Sequence, residues 1–250
     1  MHHIKSDSQI SYITKSGQIS AYAMKKVLTQ IKPGITTLEL DKIANDEIKK
    51  LGGEISFQTV ESYPYTICAT VNDDVVHGLP TTYKLKEGDV VGIDLGAIYK
   101  GWHSDMAETV SVGEIPQKIS NFLKVGKKAL NLALKKAIVG NRIGDISFAI
   151  QTTVESAGFS IVRELTGHGV GRRLHEDPII PGIGKFNTGK PIEKGMTIAI
   201  EVIYTMGRPE VVYKNDDGWT ISTKDNSLAG LFERTVLVTD HQPIVLTLLD

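Results

Sequence analysis

The segment Val90-Val91-Gly92-Ile93-Asp94-Leu95-Gly96-Ala97-Ile98-Tyr99-Lys100-Gly101-Trp102-His103-Ser104-Asp105 holds two carboxylates where ordinary strand packing does not favour them. It reads as a strand, a turn near Tyr99-Lys100-Gly101 and a returning strand. A hairpin centred between Tyr99 and Lys100 would set Asp94 opposite Asp105 on one face. Aspartate is a poor strand former, and like charges at cross-strand distance repel. A cation between the carboxylates would turn that repulsion into attraction. The plainer alternative is that one aspartate caps the turn and the other faces water.

Further along, Thr166-Gly167-His168-Gly169-Val170-Gly171-Arg172-Arg173-Leu174-His175-Glu176-Asp177-Pro178 carries two histidines in what reads as a glycine-rich loop. The glycines flanking His168 let the backbone approach closely and leave the imidazole accessible. Asp177-Pro178 follows Glu176, so this is not the His-Glu-x-x-His pattern of helical zinc proteases. Two glutamates interrupt later apolar strands, Glu201 within Met196–Ile203 and Glu233 within Gly230–Val238. A glutamate buried in such a run needs a partner or a metal. Arg234 is the ordinary partner on offer for Glu233, whereas Glu201 has none nearby in sequence.

Collected, Asp94, Asp105, His168, Glu201 and Glu233 provide four carboxylates and one imidazole. Such donors suit Mn, Fe, Co or Zn, and do not suit copper(I) or an iron–sulfur cluster. Four carboxylates exceed what one such ion needs. They match a pair of ions ~3.5–4 Å apart that share bridging carboxylates and a water.

Alternating helices and strands would have to carry these groups. Met24, Val27, Leu28 and Ile31 recur at helical spacing before Pro33-Gly34. A second helix opens at Thr36, with Glu39 completing a capping box, and stops at Gly52-Gly53. Strands follow over Tyr65–Val71, Asp89–Tyr99 and Trp102–Val112. The second half repeats the plan, with a long helix through Ile119–Ala137 and another capped by Asp145 and closing at Gly158. Strands then lie around Ser160–Glu164, Thr197–Met206 and Leu231–Val238, and Pro181–Gly195 reads as an ordered surface loop. Gly34-Ile35-Thr36-Thr37-Leu38 echoes Arg142-Ile143-Gly144-Asp145-Ile146, which points to one duplicated unit with a site between its halves.

Composition narrows the function classes. The 250 residues are 41% hydrophobic, and 28 basic residues nearly cancel 29 acidic ones, so nothing marks a general nucleic-acid or membrane-surface binder. The single cysteine, Cys68, excludes an internal disulfide and fits a reducing compartment. No window approaches the ~18 consecutive apolar residues of a membrane span. Met1-His2-His3-Ile4-Lys5 has no apolar signal core, so cytoplasmic residence is expected; the two leading histidines carry no weight.

The order Asp94, Asp105, His168, Glu201, Glu233, together with Val76-His77-Gly78-Leu79-Pro80 and Gly167–Pro178, resembles type I methionine aminopeptidases. The likeness runs from the first helix to Val238, with no room for the helical insertion of type II or the extra N-terminal domain of creatinase and prolidase relatives. It implies an α+β pita-bread fold: one domain of two pseudo-symmetric halves, about 1–115 and 116–250, with a curved antiparallel sheet and helices outside. It implies two divalent ions (Co, Mn, Fe or Zn), Asp94 on one, His168 and Glu201 on the other, and Asp105 and Glu233 bridging. Water acidified by the ions would attack the peptide bond after methionine, with Glu201 moving the proton. His175 would stabilise the oxyanion and His77 would hold the substrate amide or the leaving group.

By position relative to these motifs, Tyr63, Cys68, Leu174 and Trp219 would wall the methionine pocket, with Phe57 and Val60 nearby. Ordinary core packing is an equally good account of Cys68, Leu174 or Phe57 taken singly. The expected partners are nascent polypeptide N-termini, with room for transient ribosome contact, no nucleic acid or membrane, and a monomeric state. Val202, Arg234 and Val60 depart from the usual pattern without removing a ligand, which bears on rate, second-residue preference and metal choice. Two rivals share the fold: an aminopeptidase for Xaa-Pro or another N-terminal residue, and a non-catalytic binding protein.

Overall fold

The capping signal at Thr36 shows how local chemistry sets the elements of this chain. In the computed structural model, which describes residues 4–214 and 216–249, the Thr36 hydroxyl accepts the Glu39 N–H at 3.1 Å. The Glu39 carboxylate accepts the Thr36 N–H at 2.8 Å. This reciprocal box opens α2 (Thr37–Lys50), and Gly52, at φ +78°, ends it. Residues 1–3, with the two leading histidines, lie outside the described residues.

Two boundaries differ from expectation. Helix α1 (Asp7–Leu28) stops before Ile31: Gln30 and Ile31 bond to Val27 and Leu28 in tighter turns, because Pro33 disfavours helical backbone at Lys32. Ile31 still packs against the core. Helix α4 (Ile143–Glu155), which follows α3 (Gln117–Leu134), has Arg142 as its N-cap. Asp145 is the third helical residue, and its carboxylate accepts the Arg142 N–H at 2.8 Å.

The first half supplies strands β1 (Glu54–Ile55), β2 (Ile67–Val71), β3 (Asp74–Val76), β4 (Val90–Leu95), β5 (Ala97–Tyr99), β6 (Trp102–His103) and β7 (Met106–Ser111). The second supplies β8 (Ser160–Ile161), β9 (Thr166–Gly169), β10 (Glu176–Pro181), β11 (Thr197–Thr205), β12 (Val211–Tyr213), β13 (Ile221–Thr223), β14 (Ala229–Leu237) and β15 (Ile244–Val245). The central antiparallel sheet runs β10-β9-β11-β14-β7-β4-β2, with β8 and β15 attached to β11 and β14. Small sheets β1-β5-β6 and β12-β13-β3 flank it. Two expected long strands are thus each split. A Cβ at Gly96 would lie 2.4 Å from the Ser104 carbonyl oxygen, so glycine is needed where the chain turns out of the central sheet.

The hairpin register also differs. Lys100 and Gly101, at φ +51° and +76°, are the central turn residues, because a two-residue turn with positive φ at both places favours glycine second. Ile98 then faces His103, and Asp94 faces Ala107 rather than Asp105. The shift is two residues, so it leaves each side chain on its expected face; a shift of one would have inverted them all.

The four described α-helices pack on one face of the sheet, while a 3-10 turn, Phe57–Thr59, brings Phe57 to the cavity wall. Met24, Val27, Leu40 and Ile48 meet Val91, Ile93 and Leu95 in one core, while Phe122, Leu130, Ile146 and Ile150 meet Ile198, Ile200, Val202 and Phe232 in the other. Each such Ile or Leu contributes about 1.5–3 kcal/mol by burial. The alternate residues Asp94, Glu201 and Glu233 therefore point to the opposite face.

The halves are related by a pseudo-twofold axis between β7 and β14, which makes β2-β4-β7 the counterpart of β9-β11-β14. Asp94 facing Ala107 corresponds to Glu201 facing Glu233. Thr36 corresponds to Arg142, two residues out of step with the expected echo, since each makes the isolated bridge that precedes its helix, to Lys84 and to Pro191. A clearer echo lies in Leu85-Lys86-Glu87-Gly88-Asp89-Val90-Val91-Gly92-Ile93-Asp94-Leu95 against Ile192-Glu193-Lys194-Gly195-Met196-Thr197-Ile198-Ala199-Ile200-Glu201-Val202. Its glycines share positive φ, +87° at Gly88 and +84° at Gly195.

At the axis the strands are stitched by two equivalent threonines. Thr109 accepts the Leu231 N–H and donates to the Leu231 carbonyl, at 2.9 and 2.7 Å. Thr235 does the same with Asp105, at 2.9 and 2.8 Å.

Candidate metal centre and its pocket

Strand alternation delivers the acidic residues to one place. Glu201 and Glu233 are direct cross-strand partners, so the like-charge pair expected of Asp94 and Asp105 occurs instead on β11 and β14. Asp94 projects from β4, and Asp105 lies in the break between β6 and β7, lining the same cavity. His168 is on strand β9 rather than in a loop; the glycines beside it let β9 fit between its neighbours, as a Cβ at Gly167 would lie 2.6 Å from the Ala199 carbonyl oxygen.

His168 is set up as a ligand by its backbone contact. Its Nδ1 lies 2.9 Å from the Gly169 carbonyl oxygen, which only accepts, so Nδ1 carries the proton. The Nε2 lone pair then faces Asp105 Oδ2 at 3.6 Å and Glu233 Oε1 at 4.0 Å. Burial, then the nearby His175, pushes the His168 pKa down to about 4, so the imidazole is neutral. A carbonyl holding the far nitrogen is the usual way proteins orient a metal-binding histidine.

The carboxylates lack internal neutralisation. Burial raises the Asp94 pKa to about 7, against a lowering hydrogen bond with Asp105. Burial, and then Asp94 and Glu201, raises Asp105; burial and then Asp94 raises Glu201. Glu233 is raised by burial, then by Asp105, Glu201 and Asp94, with Arg234 opposing. Arg234 does not pair with the Glu233 carboxylate. Its guanidinium lies on the helix side of the sheet, donating to the Glu233 and Ala107 carbonyl oxygens and to Glu108.

Asp94 Oδ1, Asp105 Oδ1 and Glu233 Oε1 are buried and have no hydrogen-bond partner among the described residues. Asp105, His168 and Glu233 each present a donor atom within 4.8 Å of the other two. Asp105, His168 and Glu233 thus fit one divalent cation, with Asp94 and Glu201 lining the same cavity outside that group, and the donor set is of the hard-to-borderline kind. No second cluster of this kind occurs among the described residues.

The carboxylates open into a cavity of about 130 Å³ lined by every residue singled out in the sequence: His77, Asp94, Asp105, His168, His175, Glu201 and Glu233, with Tyr63, Cys68, Leu174 and Trp219. Phe57, Val60, Tyr63, Cys68, Leu174 and Trp219 form one apolar cluster, with the Tyr63 and Trp219 rings edge to face at 4.9 Å. The Tyr63 hydroxyl donates to the Ile67 carbonyl at 2.7 Å, which turns the ring rather than the hydroxyl toward the cavity. Burial, then Asp94, pushes the Cys68 thiol up, so it acts as a small apolar wall.

His77 has a left-handed backbone, φ +56°, an arrangement that costs a non-glycine residue about 1–3 kcal/mol. The Gly78 carbonyl accepts the Ala69 N–H at 2.8 Å, and a Cβ at Gly78 would lie 2.4 Å from the Ala69 oxygen, which fixes the strained turn against β2. The His175 ring stands edge to face with His168 at 4.5 Å. Burial lowers the pKa of His175, and burial followed by His175 lowers that of His77. Val76 and Leu231 also line the cavity and were not foreseen. Strand period could have found Leu231, which lies two residues before Glu233 and so shares its face.

The chain is 39% identical over 246 residues to a methionine aminopeptidase of Clostridium acetobutylicum, covering 98% of each. A solved methionine aminopeptidase of Thermotoga maritima superposes with a TM-score of 0.96 at 42% identity, covering 99% of both chains. The fold alone is shared with a prolidase of Pyrococcus furiosus, with a TM-score of 0.80 at 23% identity, where this chain covers 66% of the longer protein. No described helix is long and apolar enough to cross a membrane. The profile of metallopeptidase family M24 matches residues 11–240, and the chain belongs to that family.

Proposed function

We propose that this chain hydrolyses the first peptide bond of polypeptides that begin with methionine, with two divalent ions (Mn, Fe, Co or Zn) held by Asp94, Asp105, His168, Glu201 and Glu233. The observation that supports this best is the junction of two environments: unpartnered buried carboxylate oxygens open directly into a small apolar cavity. A methionine thioether is polarizable and suits a wall of Phe57, Tyr63 and Trp219 edges.

When bound, the ions supply an acidified water and positive charge at the scissile carbonyl. The side chains do the remainder. Glu201 takes a proton from the nucleophile and returns it to the departing amine. His175, kept neutral by burial, donates its N–H to the carbonyl oxygen as charge develops there. His77, neutral for the same reason, holds the substrate amide. The free α-amino group lies by the carboxylates, which restricts cutting to chain ends. In this reading the enzyme works as a monomer in the cytoplasm on nascent N-termini, in transient contact with the ribosome.

The test is hydrolysis of Met-Ala-Ser and Ala-Pro-Ser by metal-stripped protein resupplied with Mn, Co, Fe or Zn. Metal-dependent release of methionine alone is expected. Cleavage of the proline peptide alone would overturn the substrate, and no cleavage with any metal would overturn the reaction.

A further inference from the structure

Leu174 and His175 sit on a short turn, Gly171–His175, that belongs to no helix or strand. Leu174 walls the cavity and His175 stands over His168, so the position of this turn bears on both pocket shape and chemistry. A turn placing functional side chains needs anchoring from outside itself.

The next residue, Glu176, provides it. Glu176 Oε1 accepts the Arg173 N–H at 3.0 Å, and Glu176 Oε2 accepts Lys5 Nζ at 3.0 Å. The Lys5 and Glu176 side chains are only 3% and 9% exposed. A Cβ at Gly171 would lie 2.8 Å from both Glu176 Oε2 and Lys5 Cε, so the pair is packed directly on the turn backbone. Burial alone would raise the Glu176 carboxyl, but the Arg173 amide, Lys5 and the Arg172 amide bring it below its ordinary value.

Lys5 is itself tied to the second half. Its N–H donates to the Gly195 carbonyl at 2.9 Å, and Ile4 bridges Met196, just ahead of the strand that carries Glu201. The turn is also held from the other side, where the His103 N–H donates to the Gly171 carbonyl at 2.7 Å.

We propose that Lys5 and Glu176 are positioning residues: their buried ion pair lets the N-terminal segment hold the Gly171–His175 turn so that Leu174 and His175 meet the substrate. A buried ion pair is seldom the most stable filling for such a space, and it is best understood as fixing one arrangement. Without Lys5 the buried carboxylate keeps only the Arg173 and Arg172 amides against the cost of burial, and it shifts from its place in the turn, loosening its hold on the Arg173 N–H. A displacement near 1 Å at reacting groups costs on the order of 10²-fold in rate. The role in turnover rests on the peptidase reading; the structural coupling does not.

The test uses the full chain with Lys5→Met, Lys5→Arg and Glu176→Gln, each also made in a His175→Ala background. Lys5→Met and Glu176→Gln should lower kcat on a methionyl peptide by about 10-fold to 100-fold, with bound metal unchanged. Lys5→Arg should restore most of the rate. In the His175→Ala background Lys5→Met should have little further effect on kcat, and amide exchange at Arg173 should rise in Lys5→Met without metal. Unchanged kcat and unchanged exchange in Lys5→Met would overturn the proposal, as would an equal loss with and without His175. If the parent cuts no peptide, the peptidase reading fails, and exchange at Arg173 still decides whether Lys5 holds the turn.

Discussion

Strands β7 and β14 bury acidic groups on both faces, and the two faces treat them oppositely. On the helix side Glu108 meets Arg234 on one oxygen, and Lys127 from α3 on the other at 2.6 Å. Glu108 and Arg234 are pseudo-twofold equivalents, so the axis passes through an ion pair made of the same position in each half. On the cavity side Asp94, Asp105, Glu201 and Glu233 crowd together, and three of their oxygens have no partner among the described residues. One face is neutralised by the chain itself; the other waits for charge from outside. A buried carboxylate thus signals a ligand site only when its own protein leaves it unpaired.

The largest effect that would sharpen this contrast is at Glu233. Glu233→Gln keeps the shape but removes one of the crowded charges, so peptide hydrolysis should fall below detection. At pH 8 the metal-free variant should melt no lower than the metal-free parent. A clear loss of metal-free stability would show that the carboxylate has a structural partner after all.

The opposite outcome is expected across the sheet. Arg234→Met leaves Glu108 with less compensation and should cost about 3–5 kcal/mol in denaturant unfolding. Metal titration of the folded variant should still show binding; its absence would mean the two faces are not separate.

The pH dependence follows from the raised carboxyls. A carboxyl whose folded pKa lies above its unfolded one favours the folded state below the ordinary value, and that contribution is lost as pH rises through the folded pKa. Metal-free protein should therefore lose stability between about pH 4 and about pH 7, the range spanned by Asp94. Thermal melts at pH 5 and pH 8, with chelator or with Mn, check this; a flat metal-free profile would contradict the crowding.

The smallest effect concerns the stitches at the axis. Thr109→Val and Thr235→Val each leave a buried N–H and C=O without their hydroxyl partner and should cost about 1–3 kcal/mol. Pseudo-symmetry makes the two losses similar, and strongly unequal values from chemical unfolding would show that the halves are not equivalent there.

Much of this was legible in the chain, unevenly and for identifiable reasons. The Thr36 box, the glycine stop at Gly52 and the strand around Glu201 depend on a few adjacent residues, so they read correctly. The end of α1 did not, because the restriction Pro33 places on Lys32 acts before the apolar spacing runs out; nor did the cap of α4, where Asp145 serves from the third helical position, reaching back to the Arg142 N–H. The hairpin register slipped because its centre depends on which residue takes positive φ, and Lys100-Gly101 satisfied that need better than Tyr99-Lys100. Arg234 showed the limit most clearly. Next to Glu233 in sequence it looked like a partner, yet adjacent strand residues point to opposite faces, and its guanidinium serves Glu108 instead.

By itself the sequence determined the types and order of the donor groups, the helical caps and the apolar faces, since each depends on side-chain chemistry or on local periodicity. Only the tertiary structure decided which carboxylates go unpaired, which nitrogen of His168 is free, and that Lys5 reaches Glu176. Those facts depend on which groups from distant segments share a space closed to water, and no local pattern encodes that distance.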